Sequence, residues 1–307
     1  MAHIFNNVFH QKILTFDWKQ GKGGCLFDPP LLDVFHAFPK LSGPEEKFIQ
    51  KIPCFSSLGG ILSSEAHKAQ LIAKLLGIQS TSGRHSYLPP LANFRSIALT
   101  LNGFLIEIAG IRHIDHQDKF NWREPLLNLK KRGFSNLLAL ESRDSSVVQE
   151  LWIADPTNQF FSLFIRDYET LSLAQALDLC RLAKCSAKNK KNLAIYCGEG
   201  WGRSGTALAC IILLSFLQQA GPILHESFGR VQDSPINIFP KEGEKNIFTT
   251  PLVAETIRLL RTLEKEPLVE NPHINSSKGF SVEVGCQVRL LEKLETCLRK
   301  DKRLLYD

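Results

Sequence analysis

The stretch that decides the fold is NLAIYCGEGWGRSGTALACIILL, residues 192–214. It opens on a short apolar run, Asn192 to Tyr196, which reads as a buried strand. A bend holding Gly198, Gly200 and Gly202 follows. From Gly205 to Gln219 the residues are apolar on nearly every face: Ala207, Leu208, Ala209, Cys210, Ile211, Ile212, Leu213 and Leu214. A helix without a polar side belongs in the middle of a fold. A glycine bend at a helix N-terminus gathers backbone N–H groups around one concavity, and helix polarity favours an anion there. Cys197 stands at the mouth of that concavity, where the thiolate form is favoured. Arg203 stands at its end, and its planar fork can bond two oxygens of one tetrahedral anion.

Working upstream, Ser172 and Gln175 form a capping box for a helix from Leu173 to about Lys184. FFSLFI at 160–165 reads as a strand that ends at Arg166-Asp167, and NLLALES at 136–142 reads as another. Glu124 to Arg132 reads as a helix stopped by Gly133. FRSIALTL and FLIEIAGI flank Asn102-Gly103, a dipeptide suited to a type I′ hairpin turn. Downstream, Pro251 to Leu263 and Val288 to Leu298 read as amphipathic helices. Strands alternating with helices predict an α/β fold with a mostly parallel central sheet flanked by helices.

The first ninety residues are broken by GKGG at 21–24, Pro29-Pro30, Gly59-Gly60 and Pro89-Pro90, with one clear helix from Ser64 to Leu76. GKGG lacks the rest of a phosphate-loop pattern and reads as a surface turn. We expect an N-terminal extension over 1–92 packed on or beside the core, a catalytic domain over 93–265 and a C-terminal helical tail over 266–307.

The chain of 307 residues is 44% hydrophobic and 22% charged, values of an ordinary globular protein. Its net charge of +6 mildly favours anionic partners and is too small to argue for nucleic acid. Eight scattered cysteines form no CxxC pair and no zinc-ligand spacing, which suggests a reducing compartment such as the cytoplasm. No metal or other cofactor is expected. The N-terminus lacks a signal-peptide pattern, and no apolar run reaches the length of about 18 residues needed to span a bilayer. Stable membrane insertion is therefore not expected.

Cys197-Gly198-Glu199-Gly200-Trp201-Gly202-Arg203-Ser204-Gly205-Thr206 resembles the C-x5-R signature of the protein tyrosine and dual-specificity phosphatases. The resemblance covers roughly Phe94 to Leu263 and is specific from about Ser162 to Leu214. It implies a phosphatase in which Cys197 is the nucleophile and forms a cysteinyl-phosphate. It further implies that the loop Gly198, Glu199, Gly200, Trp201, Gly202 and the Arg203 side chain bind phosphate. Ser204 matches the hydroxyl residue that assists the thiolate as a leaving group. The family's proton donor lies on a loop roughly thirty residues upstream of the cysteine, which matches Asp167, thirty positions before Cys197 and directly after a predicted strand. Asp155 and Asp144 fall earlier, outside that strand-then-helix context.

Chain order separates this pattern from the low-molecular-weight phosphatases, whose cysteine lies near the N-terminus. The Asp233-Ser-Pro segment downstream does not change that assignment. The sequence departs from the family at Tyr196, where histidine usually precedes the cysteine, and at Glu199, which brings a negative charge to a phosphate loop. No match exists for the glutamine that positions water in tyrosine phosphatases. Trp201 either flanks an aromatic substrate or packs on the fold. Lys184, Lys188, Lys190 and Lys191 read as a solvated turn away from the loop, whereas Lys241 and Lys245 are better placed to meet an anionic substrate.

The substrate expected is a phosphorylated protein, phosphotyrosine ahead of phosphoserine or phosphothreonine. The alternatives are a catalytically weak phosphate-binding pseudophosphatase and a phosphoinositide or inositol phosphatase, the latter disfavoured by Glu199. The unfamiliar N-terminal region and Glu-rich C-terminal helix resemble a secreted bacterial effector phosphatase, so export into a host cell stays open.

Overall fold

A computed structural model describes residues 77–89, 91, 93–112, 122–142, 145–227, 234–237, 246–264 and 281–306. The predicted helix at 64–76, the GKGG turn, Asp144, Asp233, Lys241 and Lys245 lie outside these residues.

Six strands form the central sheet: β1 (Gln79–Ser80), β2 (Arg95–Leu101), β3 (Phe104–Arg112), β4 (Phe134–Ala139), β5 (Gln159–Ser162) and β6 (Asn192–Cys197). Their spatial order is β1-β2-β3-β6-β4-β5. The β1–β2 and β2–β3 pairings are antiparallel, and β3–β6, β6–β4 and β4–β5 are parallel. The hairpin turns on Asn102 and Gly103, with φ of 49° and 80°, the positive values that a type I′ turn demands of both central residues.

Helices cover both faces, because a sheet buried on two sides needs an apolar layer on each. One layer consists of α1 (Arg123–Lys131) and α2 (Ser145–Ile153), where Leu126, Leu129, Val148 and Trp152 pack with Tyr196 and Ala194 of β6. The other consists of α3 (Leu173–Lys188), α4 (Gly202–Ser227), α5 (Pro251–Glu264) and α6 (Gly285–Lys300). Within it, residues 207–214 of α4 are wholly buried, so the all-round apolar stretch occupies the centre of the larger layer. A leucine so buried contributes about 1.5–3 kcal/mol. A 3-10 turn (Ser82–His85), a second, two-stranded sheet of β7 (Ser234–Asn237) and β8 (Asn246–Thr249), and a final short helix α7 (Arg303–Tyr306) complete the described elements.

Some boundaries differ from the sequence reading for identifiable reasons. Helix α3 carries the predicted capping box, Gln175 N donating to Ser172 Oγ at 3.2 Å and Ser172 N to Gln175 Oε1 at 2.7 Å. It continues to Lys188, however, four residues beyond the predicted end. Lys184 is therefore no part of a solvated turn: it is buried, and its Nζ donates to the carbonyl of Leu304 at 3.0 Å. The apolar helix starts at Gly202 rather than Gly205, since Gly205 N already donates to Trp201 O at 2.7 Å. That shift puts Arg203 and Ser204 in the first helical turn. Helix α2 was not expected, because its Ser-Ser-Val-Val start has little helix preference and the helix is held by burying Val148 and Trp152.

The parallel strands fix where the site lies. β3, β4, β5 and β6 run in the same direction, so their C-terminal ends open on one edge of the sheet, where open α/β folds bind ligands. Arg112 at the end of β3 pairs in register with Cys197 at the end of β6. Glu141 follows β4, and Ile165 to Asp167 follow β5, at the same edge.

Candidate active site

Alternation along β6 sends neighbouring side chains to opposite faces. Tyr196 packs into the smaller layer with Trp152 and Phe160, and Cys197 turns to the layer of α4. Both are buried, at 2% exposure. Tyr196 therefore acts as a core side chain of the far face and does not stand beside the thiol.

The loop after Cys197 needs its glycines for different reasons. Gly200 has φ of +78°, and a Cβ there would lie 2.6 Å from the Arg112 backbone nitrogen. At Gly198 a Cβ would come within 2.8 Å of Arg203 Nη2, so the guanidinium lies across the residue next to Cys197. Gly202 and Gly205 are pressed by the segment before α6: a Cβ on Gly202 would collide with the Glu283 carboxylate, and one on Gly205 would collide with the Ser281 hydroxyl. Arg261 of α5 holds that segment in place, donating to the carbonyls of Ser281 at 3.0 Å and Val282 at 2.9 Å.

The predicted residues come together as follows. Cys197 Sγ lies 3.5 Å from Ser204 Oγ, and Ser204 is fully buried. Arg203, also buried, donates from Nη1 to the Ile165 carbonyl at 2.8 Å, and the same nitrogen is 3.1 Å from Glu141 Oε2. Its Nη2 is 3.3 Å from Asp167 Oδ1, whose side chain is 69% exposed. Thus the arginine ties the segment after β5 to the loop after β6. Asp155 is placed elsewhere: it precedes β5, at the other edge of the sheet, and its Oδ1 accepts from Thr157 N and Oγ1. Those two bonds hold its carboxyl below the usual range.

Glu199 points outward, paired with Arg112 at 3.2 Å, while its backbone carbonyl accepts from Asn93 Nδ2 at 2.8 Å. Trp201 is buried under the Arg95 guanidinium, which stacks 4.8 Å from the ring centroid.

Four residues were missed in the sequence: Glu141, Arg95, Ser281 and Glu283. Glu141 alone had a signal, an acid just past a strand that ends beside β6. The others arrive from a distant strand and from the C-terminal segment, and no local pattern marks them. Among the described residues no cluster could hold a metal ion, and no helix is long and apolar enough to cross a membrane.

Burial pushes the Glu283 carboxyl up to about 7, with Asp167 adding to the rise, Arg95 and Arg203 opposing it, and Glu199 adding a smaller push. A folded-state value above the ordinary 4.5 means a contribution to stability that is complete below 4.5 and is lost as pH rises through about 7. Glu283→Gln should therefore lose less thermal stability than wild type across that window, as read by melting curves over pH. Parallel curves for the two proteins would refute this.

Residues 120–215 match the family model described as Tc-R-P, polymorphic toxin system, DSP-PTPase phosphatase. None of the curated proteins matches the chain. Among solved structures, a mutant form of Tk-PTP is 17% identical, covering 66% of this chain and 97% of that chain with a TM-score of 0.41. Kinase associated phosphatase with its catalytic-site cysteine replaced by serine is 14% identical, covering 64% and 89%, with a TM-score of 0.41. PTPMT1 is 13% identical, covering 52% and 90%, with a TM-score of 0.29. The matched segment holds Cys197, Arg203, Ser204, Glu141 and Asp167, and leaves Arg95, Ser281 and Glu283 outside it.

Proposed function

We propose that the chain is a cysteine-based phosphatase of the tyrosine and dual-specificity type, supported by the match of residues 120–215, and that it hydrolyses phosphomonoesters on proteins through a phosphate carried on Cys197. The observation that carries this reading is the convergence of three groups: Cys197 with Ser204 at 3.5 Å, Arg203 across Gly198, and Asp167 at 3.3 Å from the same guanidinium.

In the first step the Cys197 sulfur attacks phosphorus, and the bond to the ester oxygen breaks. Asp167 gives that oxygen its proton. Arg203 and the backbone amides of residues 198–203 hold the remaining phosphate oxygens as charge develops. Phosphate oxygens compete with Asp167 for Nη2, which turns the aspartate toward the leaving group. In the second step a water oxygen attacks phosphorus, Asp167 takes the water's proton, and the sulfur leaves as thiolate. The Ser204 hydroxyl donates to it.

A phosphoprotein substrate is supported by two features. Cys197 and Arg203 are both buried, which suits a phosphate carried on a long aromatic side chain. The surroundings carry the exposed carboxylates Asp167 and Glu199, which disfavour the extra phosphates of a polyphosphoinositide headgroup. The family description names a toxin system, which supports delivery to another cell as the setting of the activity.

The test is hydrolysis of a phosphotyrosyl peptide, a phosphoseryl peptide and phosphatidylinositol phosphate vesicles, with Cys197→Ser as the blank. The phosphotyrosyl peptide should be fastest. Faster lipid hydrolysis would overturn the protein-substrate reading, and wild type no faster than the blank would overturn the enzyme reading. Asp167→Asn should slow alkyl phosphates about a hundredfold and aryl phosphates with good leaving groups far less. Equal slowing of both would remove Asp167 as the proton donor.

A further inference from the structure

Arg95 lies 102 positions before Cys197 and outside the segment that matches the family model. Its guanidinium is nonetheless built into the floor of the loop. Arg95 pairs in register with Gly110 of β3, where a Cβ would lie 3.0 Å from Arg95 Cζ. Gly110 thereby leaves the gap through which the side chain crosses the sheet edge. Beyond it, Nη1 donates to the carbonyl of Gly200, the loop residue at positive φ. Nη2 lies 3.3 Å from Ser204 Oγ and 3.3 Å from Ser281 Oγ. Trp201 stacks against the group, and Arg95 as a whole is only 4% exposed.

We infer that Arg95 is a positioning residue for the second half of the reaction, holding the loop through Gly200 and aiming the Ser204 hydroxyl at the Cys197 sulfur. A hydroxyl has one hydrogen. When Ser204 Oγ accepts from a cationic donor, that hydrogen is directed away from the donor. Cys197 Sγ is the acceptor within reach on the other side, at 3.5 Å. While the thiol is protonated, sulfur donates to Ser204. When sulfur departs from phosphorus with the bonding pair, the direction reverses and Ser204 donates. Ser281 shares the same guanidinium nitrogen, so the segment before α6 helps fix the orientation.

This inference rests on the roles of Cys197 and Ser204 proposed above, and the experiment separates the two. Full-length wild type, Arg95→Met, Ser204→Ala and the double variant are mixed rapidly with an aryl phosphate. Phenol release and acid-stable phosphate on Cys197 are followed in time. Arg95→Met should slow loss of phosphate from Cys197 about tenfold, the size expected for losing one charge-assisted hydrogen bond, while formation of the intermediate slows less. In the Ser204→Ala background the same substitution should change that rate by less than about twofold, because residues acting through one group are not additive. An unchanged rate in Arg95→Met, or equal slowing in both backgrounds, would overturn the inference. Should Arg95→Met fail to fold, Arg95→Lys retains the charge but not the two-armed fork, and the same dependence on Ser204 applies. Failure to find phosphate on Cys197 in wild type would strike the parent mechanism instead.

Discussion

Cys197→Ser should lower kcat/KM on an aryl phosphate by at least about a thousandfold, the scale seen when a nucleophile is removed. The attacking group must be an anion, and a thiol ionises far more readily than a hydroxyl. Cys197 sits at the end of β6 with Ser204 Oγ at 3.5 Å and Arg203 across the adjoining Gly198. A serine there keeps nearly the same shape and remains beside the Ser204 hydroxyl, so the fold should survive. Unchanged circular dichroism with activity lost is the expected pair of results. Activity within tenfold of wild type would mean that another group attacks phosphorus.

Arg203→Lys should lower kcat by about a hundredfold to a thousandfold, as when a principal electrostatic contact to the transition state is lost. Lysine keeps the charge and loses the fork. The guanidinium bonds the Ile165 carbonyl and reaches Glu141 and Asp167 from its two terminal nitrogens. One ammonium cannot span those partners and two phosphate oxygens together. Glu141, whose side chain is 19% exposed, would also be left next to a poorly placed cation. The loss should fall on kcat more than on KM, since the fork matters most as charge builds on the transferring phosphoryl group. A change confined to KM would show that Arg203 only anchors the substrate.

Which features were legible in the sequence follows from how far apart their parts lie. The strand, glycine bend and apolar helix of residues 192–214 are contiguous, and the capping box of α3 spans four residues, so local pattern is enough for both. The parallel sheet follows from alternating strands and helices. Lys184 was misread because its neighbours form a charge run, whereas its position on α3 faces α7 and the Leu304 carbonyl. Helix α2 was missed because burial of Trp152, rather than propensity, holds it. Arg95, Ser281 and Glu283 reach the loop from β2 and from the segment before α6. Their meeting depends on tertiary packing, and only the glycines hint at it. In sequence Gly202 reads as part of the glycine bend and Gly205 as the start of the apolar helix. In the fold they are also the places where Glu283 and Ser281 rest.

The central claim is that phosphate passes through Cys197. Rapid acid quench of the full-length protein with an aryl phosphate, followed by mass spectrometry of its peptides, tests it most directly. Phosphate on the peptide holding Cys197, absent in Cys197→Ser and longer lived in Ser204→Ala, is the predicted result. Turnover by wild type with phosphate on another residue, or undiminished turnover by Cys197→Ser, would contradict it.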